Sequence, residues 1–101
     1  MTGSRYEEVR QSARRVLTEL GSPNQTQKRC LSLLNDRRTK EILTEKNVDG
    51  IIVGAIYIAA ILTENRLPQH RLADVMNISK ATILKYYVLL AKLLELKKRK
   101  T

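Results

Sequence analysis

The stretch Gln69–Val88, QHRLADVMNISKATILKYYV, decides how the rest of the chain is to be read. Ala73 puts a small residue where two short helices can cross closely. Asn77 follows four residues later, and Asn tolerates the left-handed backbone of a tight turn better than most non-Gly residues. Leu72, Met76, Ile78, Ile83 and Tyr86 recur at the spacing that turns them toward one core. Ser79 is placed to cap the second helix. This is the pattern of a helix-turn-helix, expected over residues 69–90. In that geometry the first turns of the second helix enter a DNA major groove. Their outward residues are Lys80, Ala81, Leu84 and Lys85. The lysines can reach phosphates or guanine edges, whereas Ala81 and Leu84 offer only apolar contact, as with a thymine methyl. Ser79, at the helix N-terminus, can receive a phosphate. Gln69, His70 and Arg71 open the preceding helix and can touch the backbone. His70 reads as a surface residue and Tyr86 as core.

Working outward, Ile51–Leu62 is apolar nearly all round, with small residues at Gly54, Ala55, Ala59 and Ala60. A helix without a polar face belongs at the centre of a bundle. Thr63–Pro68 reads as a polar turn after it. Toward the N-terminus, Tyr6, Val9, Ala13, Val16, Leu17 and Leu20 recur at three- and four-residue spacing, an amphipathic helix stopped by Gly21. Ser22 can cap the next helix, with Pro23 at its first position. That helix carries Cys30, Leu31 and Leu34 and runs to Ile42, with a basic polar face of Lys28, Arg29, Arg37, Arg38 and Lys40. Thr44–Gly50 reads as a loop, from Asn47, Asp49 and Gly50. The last helix spans Ser79–Leu96. The expectation is an all-α fold: one five-helix bundle over residues 5–96, after a flexible lead (1–4) and before a basic tail (97–101).

Charge supplies the first functional clue. The 101 residues hold 19 Lys and Arg against 10 Asp and Glu, a formal net charge of +9. The excess lies mainly beyond residue 50, where nine basic residues face three acidic ones. Phosphate backbones attract such a surface through counterion release. The single Cys30 excludes an internal disulfide and reads as a small buried residue in a reducing compartment. One His, one Cys, no metal-ligand spacing, no Gly-rich phosphate loop and no clustered carboxylates argue against an enzyme. No cofactor, catalytic residue or small-molecule substrate is expected. The 12-residue run Ile51–Leu62 is too short to span a bilayer, and MTGSRYEEVR has no signal-peptide pattern.

The segment IIVGAIYIAAILTENRLPQHRLADVMNISKATILKYYVLL resembles the second, C-terminal cyclin-like repeat of the transcription factor IIB family, in particular archaeal transcription factor B. It looks like that family's Ala-rich helix followed by its helix-turn-helix. Cys30–Gly50 is similar, without gaps, to the long second helix and following loop. The resemblance extends over about Tyr6 to Leu96 and implies a five-helix cyclin fold. It also implies that the helix-turn-helix reads promoter DNA beside the TATA box. Carried over by position, base reading falls on Ala81 and Leu84, with Ser79, Thr82 and Lys85 nearby. The sequence departs from the pattern there: the family commonly has Val at the place of Ala81 and Arg at the place of Leu84. Without that Arg, the donor best suited to guanine is gone. Val48 likewise replaces a common proline. The family's zinc ribbon, linker and first repeat have no counterpart in these 101 residues.

The expected partner is double-stranded promoter DNA, in a cytoplasmic or nuclear setting, with no membrane. The competing expectation is a protein-interaction module that binds TATA-binding protein or RNA polymerase without recognising DNA itself.

Overall fold

The apolar run beginning at Ile51 forms the helix around which the others assemble. The computed structural model describes residues 2–96, with side chains from Tyr6 onward. The order is α1 (Thr2–Glu19), α2 (Asn24–Asn35), α3 (Arg37–Ile42), α4 (Val48–Leu62), α5 (Gln69–Met76) and α6 (Lys80–Leu93). All six are α-helices, as the all-α cyclin-like expectation requires. α1 begins inside the stretch read as a flexible lead, and the basic tail (97–101) lies outside the described residues.

α4 packs against α1, α2, α5 and α6. It buries ten residues, from Gly50 to Ala60 with Tyr57 half-buried. Val9, Ala13 and Leu17 of α1, Cys30 and Leu34 of α2, Leu72 of α5, and Ile83 and Leu90 of α6 complete one aliphatic core. Each large aliphatic side chain so buried contributes on the order of 1.5–3 kcal/mol of transfer free energy. Thr26 is a polar residue buried beside this core. Thr63 spends its hydroxyl proton on the Ala59 carbonyl at 2.7 Å, so Thr26 Oγ1 donates to Thr63 Oγ1, also at 2.7 Å. The pair ties α2 to the end of α4 and leaves the buried Thr26 hydroxyl satisfied.

Two glycines of α4 set its distance from α6. A Cβ on Gly50 would overlap the Tyr86 ring, and one on Gly54 would sit 3.0 Å from both Leu90 Cδ1 and the Tyr86 carbonyl oxygen. Gly50 was expected to be a turn residue. It is instead a contact residue in the first turn of α4.

Several expectations are corrected. The long second helix is two helices, so the described residues hold six where five were expected. Asp36 adopts extended backbone (φ −64°, ψ 136°), and its carboxylate accepts the Arg38 backbone N–H at 2.9 Å. The side chain thus caps a new helix, and the periodicity of Cys30–Ile42 hides the break. Ser22 does not cap α2: the N-cap position falls on Pro23. The Ser22 hydroxyl is buried without a hydrogen-bond partner among the described residues, while its carbonyl accepts Gln27 Nε2 at 3.0 Å. The Thr44–Gly50 loop is shorter than expected, because α4 starts at Val48. Asn47 closes it: its Oδ1 accepts the Thr44 backbone N–H at 2.8 Å, and its Nδ2 donates to the Ile42 carbonyl at 2.8 Å.

Four α-helices end in the same way. Gly21, Glu64, Asn77 and Glu95 all have φ between 55° and 69°. At each end the residue after the left-handed one donates back five positions: Ser22 to Leu17, Asn65 to Ala60, Ile78 to Ala73 and Leu96 to Ala91, at 2.8–3.0 Å. This double-bonded C-terminal motif satisfies carbonyls the helix would otherwise leave open. The last of these stops α6 at Leu93, short of the expected Leu96.

Candidate nucleic-acid interface

α5 ends on Asn77, which stands in the left-handed region at φ 57°, ψ 49°. Its N–H reaches the Asp74 carbonyl at 3.3 Å, and the Ile78 N–H reaches that of Ala73 at 3.0 Å. The Ala73 carbonyl thus anchors the turn, and Ala73 and Ile78 both pack against the core. Ser79 then resumes extended backbone, and its Oγ accepts the Thr82 N–H at 3.2 Å. The two hydroxyls also lie 3.0 Å apart. α5 is thus joined to α6 by the three residues Asn77–Ser79, as the sequence predicts.

The inner face of α6 is fixed by Ile83 and Leu90, both fully buried, and by half-buried Tyr86 and Tyr87. Tyr86 lies beneath Gly50, which confirms its place in the core. Tyr87 meets Tyr57 edge-to-face, with centroids 5.4 Å apart and planes at 83°. Tyr57 Oη in turn accepts Gln69 Nε2 at 2.9 Å. This chain of contacts locks the start of α5 and the middle of α6 onto α4. Sequence reasoning missed it, because nothing local joins Tyr57 to Gln69 and Tyr87.

The outer face of α6 is where the candidate residues fall. Ser79, Lys80, Ala81, Leu84 and Lys85 are exposed, and His70 and Arg71 are exposed at the start of α5. Gln69 is half-buried and already committed to Tyr57; Thr82 is half-buried and engaged with Ser79. The structure thus brings seven of the nine candidates to the surface and leaves two half-buried. Lys85 Nζ rests 5.6 Å from the Tyr86 ring centroid, a cation–π contact at the edge of the exposed face. Val88 and Leu89 extend that face beyond the predicted residues, at 47% and 39% exposure, and Leu84 is 42% exposed. Among the described residues no group of His, Cys, Asp and Glu could hold a metal ion, and no helix is long and apolar enough to cross a membrane.

Fold and face together define a small all-helical module that presents one exposed, lysine-flanked helix after a tight turn. No protein-family model matches the chain. It is similar to transcription initiation factor IIB of Methanococcus maripaludis, 30% identical over 73 residues, which are 72% of this chain and 22% of the relative. Transcription initiation factor IIB 2 of Haloferax volcanii is 32% identical over 73 residues, again 72% and 22%. The factor IIB of Methanosarcina mazei is 30% identical over 82 residues, 81% of this chain and 24% of the relative. The chain belongs to the transcription initiation factor IIB-like family. It spans less than a quarter of the length of these curated relatives.

Proposed function

We propose that this chain is a DNA-binding repeat of a factor IIB-like transcription initiation protein, which docks α6 in the major groove of promoter DNA near a TATA box. It acts by binding and is not an enzyme: the relatives it matches are initiation factors. The observation that carries the reading is the capped N-terminus of α6, held by the Asn77 turn, with Lys80 and Lys85 exposed on its first turns. A helix held so, after such a turn, can enter a groove about 12 Å wide. Lys80 and Lys85 then neutralise phosphates, and the Ser79 end of the helix receives a third. Arg71 and His70 add backbone contacts from α5. Gln69 and Thr82 serve by positioning α5 and α6 rather than by touching DNA.

The test is fluorescence anisotropy of a labelled 30-base-pair duplex against the 101-residue chain at several salt concentrations. Affinity falls steeply with salt, and Lys80→Ala or Lys85→Ala each lowers the salt slope by about one. A folded chain that fails to bind even at low salt overturns the reading. So do lysine variants that leave both affinity and slope unchanged.

A second reading has the exposed Leu84, Val88 and Leu89 in its favour. There α6 is a docking face for TATA-binding protein or RNA polymerase, and binding is indifferent to Lys80 and Lys85.

A further inference from the structure

The outward strip of α6 has an unusual chemistry for a groove-reading helix. Ala81, Leu84 and Val88 follow one another at three- and four-residue spacing, and all are exposed, Leu84 at 42% and Val88 at 47%. Their side chains offer no hydrogen-bond donor or acceptor. Exposed lysines flank the strip at Lys80, Lys85 and Lys92. The centre of the face is therefore apolar and its margins cationic.

That arrangement limits what the face can recognise. In a major groove, guanine, adenine and cytosine present hydrogen-bonding groups. Thymine alone adds an apolar one, its C5-methyl. A leucine pressed against a guanine or cytosine edge strips water from groups it cannot satisfy, which is unfavourable. The same leucine against a thymine methyl buries apolar surface on both sides. Ala81 to Val88 spans about 10 Å along the helix at ~1.5 Å per residue, or about three base steps at ~3.4 Å each. The flanking lysines suit a phosphate-walled groove. The apolar strip, even with exposed Leu89 beside it, is also far smaller than the 20 to 30 residues a side, roughly, of a stable protein interface.

We propose that α6 selects its site by apolar contact of Leu84 and Val88, with Ala81, against thymine methyl groups over about three consecutive base pairs. This rests on the DNA-binding reading above and adds to it the chemical basis of specificity. Leu84 and Val88 are then specificity determinants, and the lysines supply affinity without sequence.

The test begins with selection of a preferred duplex from a random library by the 101-residue chain. Each thymine of the selected site is then replaced by deoxyuridine, which removes the methyl and leaves pairing and phosphates intact. The expected result is a loss of about fourfold in affinity for each contacted methyl, with the salt slope unchanged. Leu84→Ala lowers affinity for the thymine duplex and abolishes the deoxyuridine effect at one position, while its circular dichroism stays helical. Salt-steep binding that ignores deoxyuridine at every position overturns the thymine proposal and leaves DNA binding standing. No duplex binding under any condition overturns both. Tight capture of a protein partner lost on Leu84→Ala, with no deoxyuridine effect, assigns the strip to a protein interface and overturns the proposal too.

Discussion

Cys30 is fully enclosed in the aliphatic core, and burial pushes its thiol up to about 12. An unfolded thiol titrates near 8.5. A group whose folded pKa lies above its unfolded value stabilises the fold fully below the unfolded value, and that contribution is lost as pH rises through about 12. Two outcomes follow. The native chain resists a thiol-specific reagent at pH 8, whereas the chain in denaturant reacts at the rate of a free thiol. Cys30→Ala flattens part of the alkaline loss of stability between about pH 9 and 12 in denaturant titrations. Native labelling at the free-thiol rate refutes the burial. The placement among leucines makes the fate of Cys30 legible from composition, because a lone Cys with no His nearby behaves as a small apolar residue. The commitment of Gln69 is not legible, since its partner Tyr57 lies in another helix.

Helix ends carry the information at the next scale. Asp36 both breaks the long second helix and starts α3, holding the Arg38 N–H and, with both carboxylate oxygens, its guanidinium at 3.1 Å. The Arg38 hydrogen bonds also hold the Asp36 carboxyl below the usual carboxylate range. Asp36→Ala lowers the urea midpoint, whereas Asp36→Asn, which keeps a capping oxygen, leaves it nearly unchanged. Equal losses for the two would show that the cap is immaterial. The left-handed ends differ in quality. Gly21 adopts its conformation freely, Asn77 tolerates it, and Glu64 and Glu95 adopt it against their preference. Glu64→Gly and Glu95→Gly each raise stability by up to about 1 kcal/mol, the relief at φ exceeding the added entropy of the unfolded chain. A fall in the thermal midpoint for either would contradict this. Asn77 announces its turn in the sequence. Glu64 does not, because Glu carries no turn preference and its backbone is fixed by bonds of the chain itself, Glu64 N–H to Ile61 and Asn65 N–H to Ala60.

For the molecule as a whole, the contact that matters most is the approach of α4 to α6. Gly50 accepts the Tyr86 ring, and Gly54 accepts the Tyr86 carbonyl and Leu90. Gly50→Ala forces α6 away from α4 or turns Tyr86 out, costing about 1–3 kcal/mol despite the better helix propensity of Ala. Tyr86→Leu in the same chain recovers most of that loss, because the two changes act at one contact. Additive losses in the double variant would place the strain elsewhere. The same contact couples core to function: a displaced α6 carries Lys80, Lys85 and Leu84 with it, so Gly50→Ala lowers duplex affinity in proportion to its structural effect.

The sequence by itself determined the helical class, the central place of the Ile51–Leu62 run, the bounds of α5, and the Asn77 turn with its Ser79 cap. These rest on signals that act within a few residues: periodicity, a left-handed position and a capping hydroxyl. Only the tertiary structure decided that Gly50 is a contact rather than a turn and that Gln69 is held by Tyr57. It alone aligned Val88 with Ala81 and Leu84 as exposed surface. Each of these depends on which face of a helix another helix covers, and burial by a distant partner leaves no mark on local spacing.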